Sequence, residues 1–107
     1  MSYKVELTDN FKKEAKRLTK KYKSLKNEII DLVNELEENP TIGTHIGNDV
    51  YKIRLAIKSK GKGKSGGARI MSFVKVFENE VLLFSIYNKG EKDSISNEEI
   101  KELIKDL

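Results

Sequence analysis

The chain has 107 residues and no cysteine, which suffices for one modest hydrophobic core and excludes disulfide bonds and thiolate zinc sites. Its longest purely apolar run, Val81 to Phe84, is far shorter than the roughly 20 residues of a membrane-spanning helix, so we expect one soluble, cytoplasmic domain over residues 1–107 with no membrane partner. The formal net charge of +4 is unevenly distributed, because residues 50–77 carry eight cationic side chains and no carboxylate.

The first part of the chain predicts one strand and two helices. Residues 3–7 alternate between apolar and polar side chains, which is typical of a short strand with one buried face. Residues 8–10 are good helix N-caps, and apolar side chains then recur at helical spacing from about residue 11 to residue 21. A second amphipathic helix over residues 25–39 ends before Pro40, which disfavours the α conformation in the residue that precedes it. The short link predicts an antiparallel helical hairpin packed on one face of a sheet.

The middle of the chain predicts a loop, a strand and a second loop. Residues 41–49 show no periodicity and contain the only histidine, His45, so they are predicted to be a loop. Residues 50–58 alternate so that one face of a strand is apolar and the other carries Lys52 and Arg54. The segment 59–67 is rich in glycine and lysine and is predicted to be a loop.

The last part of the chain predicts a hairpin and a short helix. Residues 68–77 and 81–87 are rich in β-branched and aromatic side chains and are joined by a short turn, so we predict two largely buried strands. Ser96 and Glu99 match the capping box that begins a helix, and apolar side chains continue to Leu107. The order β-α-α-β-β-β-α predicts an α+β domain with a four-stranded, mainly antiparallel sheet.

Several kinds of catalytic site are disfavoured. The Gly-Lys-Ser sequence at residues 63–65 is not a phosphate-binding loop, because that motif needs a glycine where this chain has Lys58, and a helix must follow it. His45 has no second histidine or cysteine as a companion, so we expect no metal site and no serine triad, and we interpret His45 as a loop or surface residue. We also expect no cofactor.

The cationic strand face suggests phosphate chemistry. Period-two geometry places Lys52 and Arg54 about 6.5–7 Å apart on one surface, and Arg69 on a neighbouring strand can bring a third cation beside them. In RNA cleavage the ribose 2′-hydroxyl attacks its own phosphate; arginines would stabilise the developing charge, and a lysine whose pKa is lowered by cationic neighbours could remove the 2′-proton. The same residue types also allow a face that only binds phosphate, and charge runs often simply face water.

Four short segments, in this order of elements, carry a family resemblance. They are YKIRL at residues 51–55, KGKGK at 60–64, the pair Arg69-Ile70, and IYNK at 86–89. The chain resembles the RelE/ParE superfamily of toxins from type II toxin–antitoxin modules, and its long glycine–lysine loop is most similar to the HigB-like branch.

The resemblance implies an mRNA interferase, a ribosome-dependent endoribonuclease that cuts messenger RNA, inhibits translation and is held inactive by a cognate antitoxin. That antitoxin is expected to be a small helix-turn-helix protein that covers the cationic face or displaces the terminal helix. The implied catalytic roles are phosphate stabilisation by Arg69 and Arg54, with Lys52 as a possible base. The residues expected to bind RNA or the ribosome are Lys58, Lys60, Lys62, Lys64, Tyr87, Lys89 and Lys92.

The chain also departs from the family pattern. Gly90 and Ser96 stand where the family has an arginine after the last strand and a tyrosine near the terminal helix, and Ser72 and Phe73 stand where the HigB-like branch often has tyrosines. Tyr87 is the remaining aromatic candidate for stacking on a base, and a buried core tyrosine is the alternative. Two other functions stay open. The chain could be a ParE-like inhibitor of DNA gyrase that does not cut nucleic acid, or an inert homologue that only binds its antitoxin.

Overall fold

The structure, a computed structural model, describes residues 2–61 and 63–107. Its strands are β1 (Lys4–Leu7), β2 (Thr44–His45), β3 (Val50–Leu55), β4 (Ala68–Lys75) and β5 (Glu80–Asn88), and its α-helices are α1 (Asp9–Lys21), α2 (Leu25–Glu38) and α3 (Asn97–Ile104). Short 3₁₀ turns follow β3 at Lys58–Lys60 and Lys64–Gly66, and a third joins β4 to β5 at Val76–Glu78. Within the described ranges, no helix is long and apolar enough to cross a membrane.

Over the described residues the sheet has five strands in the order β1-β5-β4-β3-β2. β1 runs parallel to β5, and the other neighbouring pairs are antiparallel. The predicted α+β architecture is confirmed, but the predicted strand number of four was wrong. The additional strand, β2, has only two residues and lies in the segment predicted to be a loop, where it pairs with Tyr51 and Lys52 of β3. Two residues are too few to show a period-two pattern.

The helical hairpin covers one face of the sheet, as predicted. α1 begins at Asp9, because the Thr8 hydroxyl accepts a hydrogen bond from the Phe11 amide at 3.2 Å and caps the first turn. α2 ends at Glu38, with Asn39 as its C-cap directly before Pro40. The apolar sides of both helices form one core with the sheet; its fully buried members include Phe11, Leu18, Leu25, Leu36, Ile57, Ile70, Val81 and Leu83.

The opposite face of the sheet is covered in part by α3. The Ser96 hydroxyl accepts a hydrogen bond from the Glu99 amide at 3.1 Å, so the predicted helix start is confirmed. Ile100 is buried on this face in a second apolar cluster with Val50, Met71, Phe84 and Tyr87. The cationic side of β3 belongs to this same face, so α3 lies beside it.

A bulge in the central hairpin sets which residues meet across it. The register of β4 against β5 shifts between Met71 and Ser72, and α1 binds the irregular stretch of β5 through Glu14. The Glu14 carboxylate accepts hydrogen bonds from the Ser85 hydroxyl at 2.9 Å and from the Ile86 amide at 3.2 Å. With this bulge in the hairpin, Arg69 lies directly opposite Tyr87.

Candidate functional site

The three cations predicted to be catalytic lie together on one face of the sheet. Arg54 of β3 is the register partner of Arg69 of β4, and Arg69 is the register partner of Tyr87 of β5. Directly opposed residues have Cα atoms about 4.5–5.5 Å apart. Arg54, Arg69 and Tyr87 therefore form a continuous row across three strands, which we call the row. Lys52 precedes Arg54 by two residues and shares its face, about 6.5–7 Å along the strand.

Arg69 is the buried one of the three cations. It is 4% exposed, whereas Arg54 is exposed and Lys52 is intermediate. Its Nη1 donates to the Ala68 carbonyl at 3.2 Å and its Nη2 donates to the Ser65 carbonyl at 3.3 Å. These hydrogen bonds to backbone carbonyls help to fix the direction of the guanidinium. The sheet therefore holds a buried, oriented arginine beside the solvent-exposed Arg54.

Tyr87 lies at the end of the row beneath α3. It is 4% exposed, and its hydroxyl finds no hydrogen-bond partner among the described residues. Burial raises the pKa of Tyr87 above its ordinary value of 10.0, although the charges of Arg69 and Lys92 act in the opposite direction. The ammonium of Lys92 lies 5.8 Å from the centre of the ring. Base stacking and a place in the core were the two alternatives for Tyr87, and the side chain lies in the core. Base stacking would require Lys92 and α3 to move.

Two of the predicted RNA-binding lysines are paired with carboxylates. Lys89 Nζ lies 2.6 Å from Asp93 Oδ1, and Lys92 Nζ lies 2.8 Å from Glu99 Oε2. The hydrogen bond and charge of Lys89 lower the pKa of Asp93, and the charge of Lys52 lowers it further. The hydrogen bond from Lys92 lowers the pKa of Glu99 in the same way. Exposed pairs of this kind are weak, so a phosphate group can exchange with the carboxylates.

The lysines of the glycine-rich loop have different environments. Lys58 is exposed, as expected for a side chain that meets RNA. Lys60 is turned inward, since its Nζ donates to the Gly66 carbonyl at 2.7 Å and to Asn88 Oδ1 at 2.6 Å. Lys62 and the side chain of Lys64 lie outside what the structure describes.

Sequence reasoning missed the importance of Asn88. This side chain ends the apolar strand β5, is 2% exposed, and donates from Nδ2 to the Tyr22 hydroxyl at 2.9 Å. Its Oδ1 accepts from both Lys60 and the Gly90 amide, the latter at 3.1 Å. A polar amide at the end of a strand rich in apolar residues was the available signal, because buried polar groups normally have hydrogen-bond partners.

Among the residues that the structure describes, the site offers cations and no set of metal ligands. Within the described ranges, no group of three or more histidine, aspartate or glutamate side chains could hold a metal ion. His45 is exposed on β2 and lies opposite Tyr51, with the two ring centres 5.0 Å apart. Tyr51 packs against the core on the helical side of the sheet, so His45 does not share the face of Lys52 and Arg54.

Comparisons with known proteins agree with this architecture. The family model described as the RelE toxin of the RelE/RelB toxin–antitoxin system matches residues 4–106. An arginine-to-alanine double mutant of the E. coli toxin RelE in the free state is similar with a TM-score of 0.67 at 20% identity, over 100% of this chain and 99% of that one. The isolated E. coli RelE toxin gives a TM-score of 0.63 at 19% identity, over 99% of this chain and 100% of that one. The same double mutant in complex with an antitoxin RelBc peptide gives 0.63 at 21% identity, over 100% and 99%.

Proposed function

Because the chain belongs to the RelE toxin family of RelE/RelB toxin–antitoxin systems, we propose that it is a ribosome-dependent endoribonuclease that cuts messenger RNA and thereby inhibits translation. The observation that carries the proposal is the pairing of Arg54 with Arg69 across β3 and β4, with Lys52 on the same face. This activity places the protein in the cytoplasm, where ribosomes are. Its assignment to the HigB-like branch remains a prediction.

The proposed reaction uses Lys52 as the base and the two arginines of this face to stabilise charge. The 2′-oxygen of a ribose attacks the adjacent phosphorus and gives up its proton to the unprotonated amine form of Lys52, which becomes an ammonium, while the bond from phosphorus to the 5′-oxygen breaks and that oxygen takes a proton from water. The products are a 2′,3′-cyclic phosphate and a 5′-hydroxyl. Arg54 and Arg69 stabilise the charge that builds up on the phosphoryl oxygens, because guanidinium groups donate paired hydrogen bonds to phosphate.

The surrounding lysines serve to hold the RNA and ribosome backbone. We assign this role to Lys58, Lys62, Lys64, Lys89 and Lys92, because ammonium groups bind phosphate without reading sequence. The pairs that Lys89 and Lys92 make with Asp93 and Glu99 are opened when phosphate takes the place of the carboxylates. For Tyr87 the supported contact with RNA is through its ring, once α3 has moved.

We propose a cognate antitoxin as the protein partner, since a structurally similar toxin is solved with an antitoxin peptide. The partner is expected to be a small helix-turn-helix protein whose acidic segment covers the face of Lys52, Arg54 and Arg69 or displaces α3. Covering the face would inhibit cleavage by occupying the cations. Displacing α3 would inhibit it by disturbing the apolar cluster that includes Val50 and Met71, which neighbour the cations on β3 and β4.

The test is cleavage of a ribosome-bound message by the purified chain. The wild type should cut within the bound codon and leave a 2′,3′-cyclic phosphate, and a message with a single 2′-deoxynucleotide at the cut position should stay intact. Arg69→Ala should lower the single-turnover rate about 10²–10³-fold, by analogy with the loss of one donor to a developing oxyanion. Lys13→Ala is the control for loss of one charge, because Lys13 is an exposed cation of α1, and α1 packs on the other face of the sheet.

Three outcomes would refute the proposal. Cleavage of the 2′-deoxy message would exclude the proposed nucleophile. Intact messages together with a DNA-damage response in cells that express the chain would favour the ParE-like inhibitor of DNA gyrase. Normal growth with intact messages would favour the inert homologue that only binds its antitoxin.

A further inference from the structure

A group of four residues closes the base of the glycine-rich loop between β3 and β4. The Lys60 ammonium donates to the Gly66 carbonyl at 2.7 Å and to Asn88 Oδ1 at 2.6 Å, and it lies 5.8 Å from the centre of the Tyr22 ring. Asn88 is buried at the end of β5 and also donates to the Tyr22 hydroxyl at 2.9 Å. We call this group, formed by Lys60, Gly66, Asn88 and Tyr22, the loop clasp.

The loop clasp includes the Gly66 carbonyl, which directly follows a carbonyl that accepts a hydrogen bond from Arg69. The Ser65 carbonyl accepts from Arg69 Nη2 at 3.3 Å, and the next carbonyl along the chain, that of Gly66, accepts from Lys60. Only the φ and ψ torsions of Gly66 separate these two carbonyls, so fixing the Gly66 carbonyl limits the positions that the Ser65 carbonyl can take. The loop is rich in glycine, which restrains the backbone least. The Lys60 contact therefore adds to the backbone hydrogen bond from the Lys89 amide to the Gly67 carbonyl, at 3.0 Å, in holding this end of the loop.

The geometry points to Lys60 as a positioning residue for Arg69. Lys60 holds the loop in the arrangement in which the Ser65 carbonyl accepts a hydrogen bond from the Arg69 guanidinium and so helps to fix its position. This inference rests on the proposed function and deepens it, and it gives Lys60 a role different from the direct RNA contact expected from the sequence. Lys60 does not touch the reacting phosphate.

The effect on the reaction follows from how strongly catalysis depends on placement. A displacement of about 1 Å in a group that stabilises the transition state can lower a rate about 10²-fold. Charge-assisted hydrogen bonds to the Gly66 and Asn88 oxygens are stronger than neutral ones, so no neutral side chain replaces them fully. The loss should therefore fall on the maximal rate and leave the affinity for the programmed ribosome nearly unchanged.

The kinetic test compares three variants in single-turnover cleavage over a range of toxin concentrations. Lys60→Met keeps the apolar stem and removes the ammonium, so it should lower the maximal rate about 10–100-fold while the half-saturating concentration changes less than about twofold. Lys60→Arg should restore the rate to within about threefold of wild type, because a guanidinium can donate to both oxygens. Lys13→Met is the control for loss of one charge, since Lys13 is exposed on α1.

The opposite kinetic pattern would overturn the inference. If Lys60 binds RNA directly, Lys60→Met will raise the half-saturating concentration, leave the maximal rate unchanged and lower the slope of log affinity against log salt by about one. If Lys60 serves only folding, Lys60→Met and Lys60→Arg will lose rate in proportion to their loss of thermal stability.

A second measurement needs no activity and therefore separates this inference from the proposed function. The chain contains three arginines, at positions 17, 54 and 69, so a sample with ¹⁵N-labelled arginine should give three Nε–H signals in an NMR correlation spectrum. Arg69→Lys identifies the Arg69 signal by its disappearance. Lys60→Met and Asn88→Leu should shift that signal and speed its exchange with water, whereas Lys13→Met should not. An Arg69 signal that is unchanged in both clasp variants overturns the inference whether or not the wild type cleaves RNA.

Discussion

Replacing Tyr87 with phenylalanine should stabilise the protein without reducing RNA cleavage. The side chain is 4% exposed, and its hydroxyl has no hydrogen-bond partner within residues 2–61 and 63–107. The substitution removes only this oxygen, so the ring keeps its packing beside Met71, Phe84 and Ile100. It also keeps the aromatic face that would meet an RNA base.

The magnitude follows from the cost of a buried polar group without a partner. That cost is roughly 1–3 kcal/mol, so Tyr87→Phe should raise the free energy of unfolding by about 1 kcal/mol after some relaxation is allowed for. For a domain of about 100 residues this corresponds to an increase in Tm of about 4–8 °C. Ser72→Ala tests the same argument at a second site, because the Ser72 hydroxyl is also buried without a partner in the described structure. It should also raise the free energy of unfolding.

The tyrosine should also give a signature at high pH. Burial raises the pKa of Tyr87 in the folded state above 10.0, so above pH 10 the unfolded chain loses this proton before the folded protein does. The wild type is therefore destabilised as the pH rises from 10 toward the folded-state pKa. Tyr87→Phe lacks this contribution, so its advantage over the wild type should increase in that range.

The assays are urea denaturation at pH 7 and at pH 10.5, together with single-turnover cleavage of a ribosome-bound message. A Tyr87→Phe variant less stable than the wild type at pH 7 would show that the hydroxyl has a stabilising partner, contrary to the argument. A cleavage rate reduced more than about tenfold would show that the hydroxyl takes part in the reaction. The proposal that Lys52, Arg54 and Arg69 suffice would then be wrong.

Two further predictions concern the glycine-rich loop and the antitoxin. Gly67→Ala should lower the free energy of unfolding by about 1–3 kcal/mol in urea denaturation, because an added Cβ would lie 2.1 Å from the Leu55 carbonyl oxygen. Gly63→Ala is the control and should not destabilise the fold, because its added Cβ would meet nothing within 4 Å. The affinity for the antitoxin should fall with added salt, and Arg54→Gln should reduce that salt dependence, as measured by calorimetry at several ionic strengths; an affinity independent of salt would contradict a charge-led interface.

The sequence was most informative where side-chain alternation decides the structure. Alternation along β3 predicted that Lys52 and Arg54 share one face, and the sheet has them so. The pairing of Arg54 with Arg69 and of Arg69 with Tyr87 could only be suggested. Strand register depends on the conformation of the long loop between β3 and β4 and on the bulge in the central hairpin, and neither has a periodic signal in the sequence.

The sequence was least informative about which cations are in contact with solvent. Lys60 belongs to the repeating segment KGKGK and is chemically identical to its neighbours, yet its ammonium binds oxygens at the base of the loop. The inward direction of Lys60 depends on its hydrogen bond to Asn88, which lies 28 residues further along the chain. A long, flexible lysine side chain can reach outward or inward, so only the tertiary structure decides between an RNA contact and an internal anchor.

The distribution of charge along the chain has a structural consequence for any polyanionic partner. Residues 50–77 supply eight cations, whereas residues 78–107 contain four lysines and eight acids. Two of those lysines are paired with acids beside the cationic face, and Asp93 also lies within the electrostatic influence of Lys52. If RNA binds as proposed, phosphates that pair with Lys89 or Lys92 leave Asp93 or Glu99 unpaired beside them. We therefore expect this edge to attract RNA less than its lysines suggest, and we expect the exposed Arg54, which lies in the stretch without carboxylates, to contribute more.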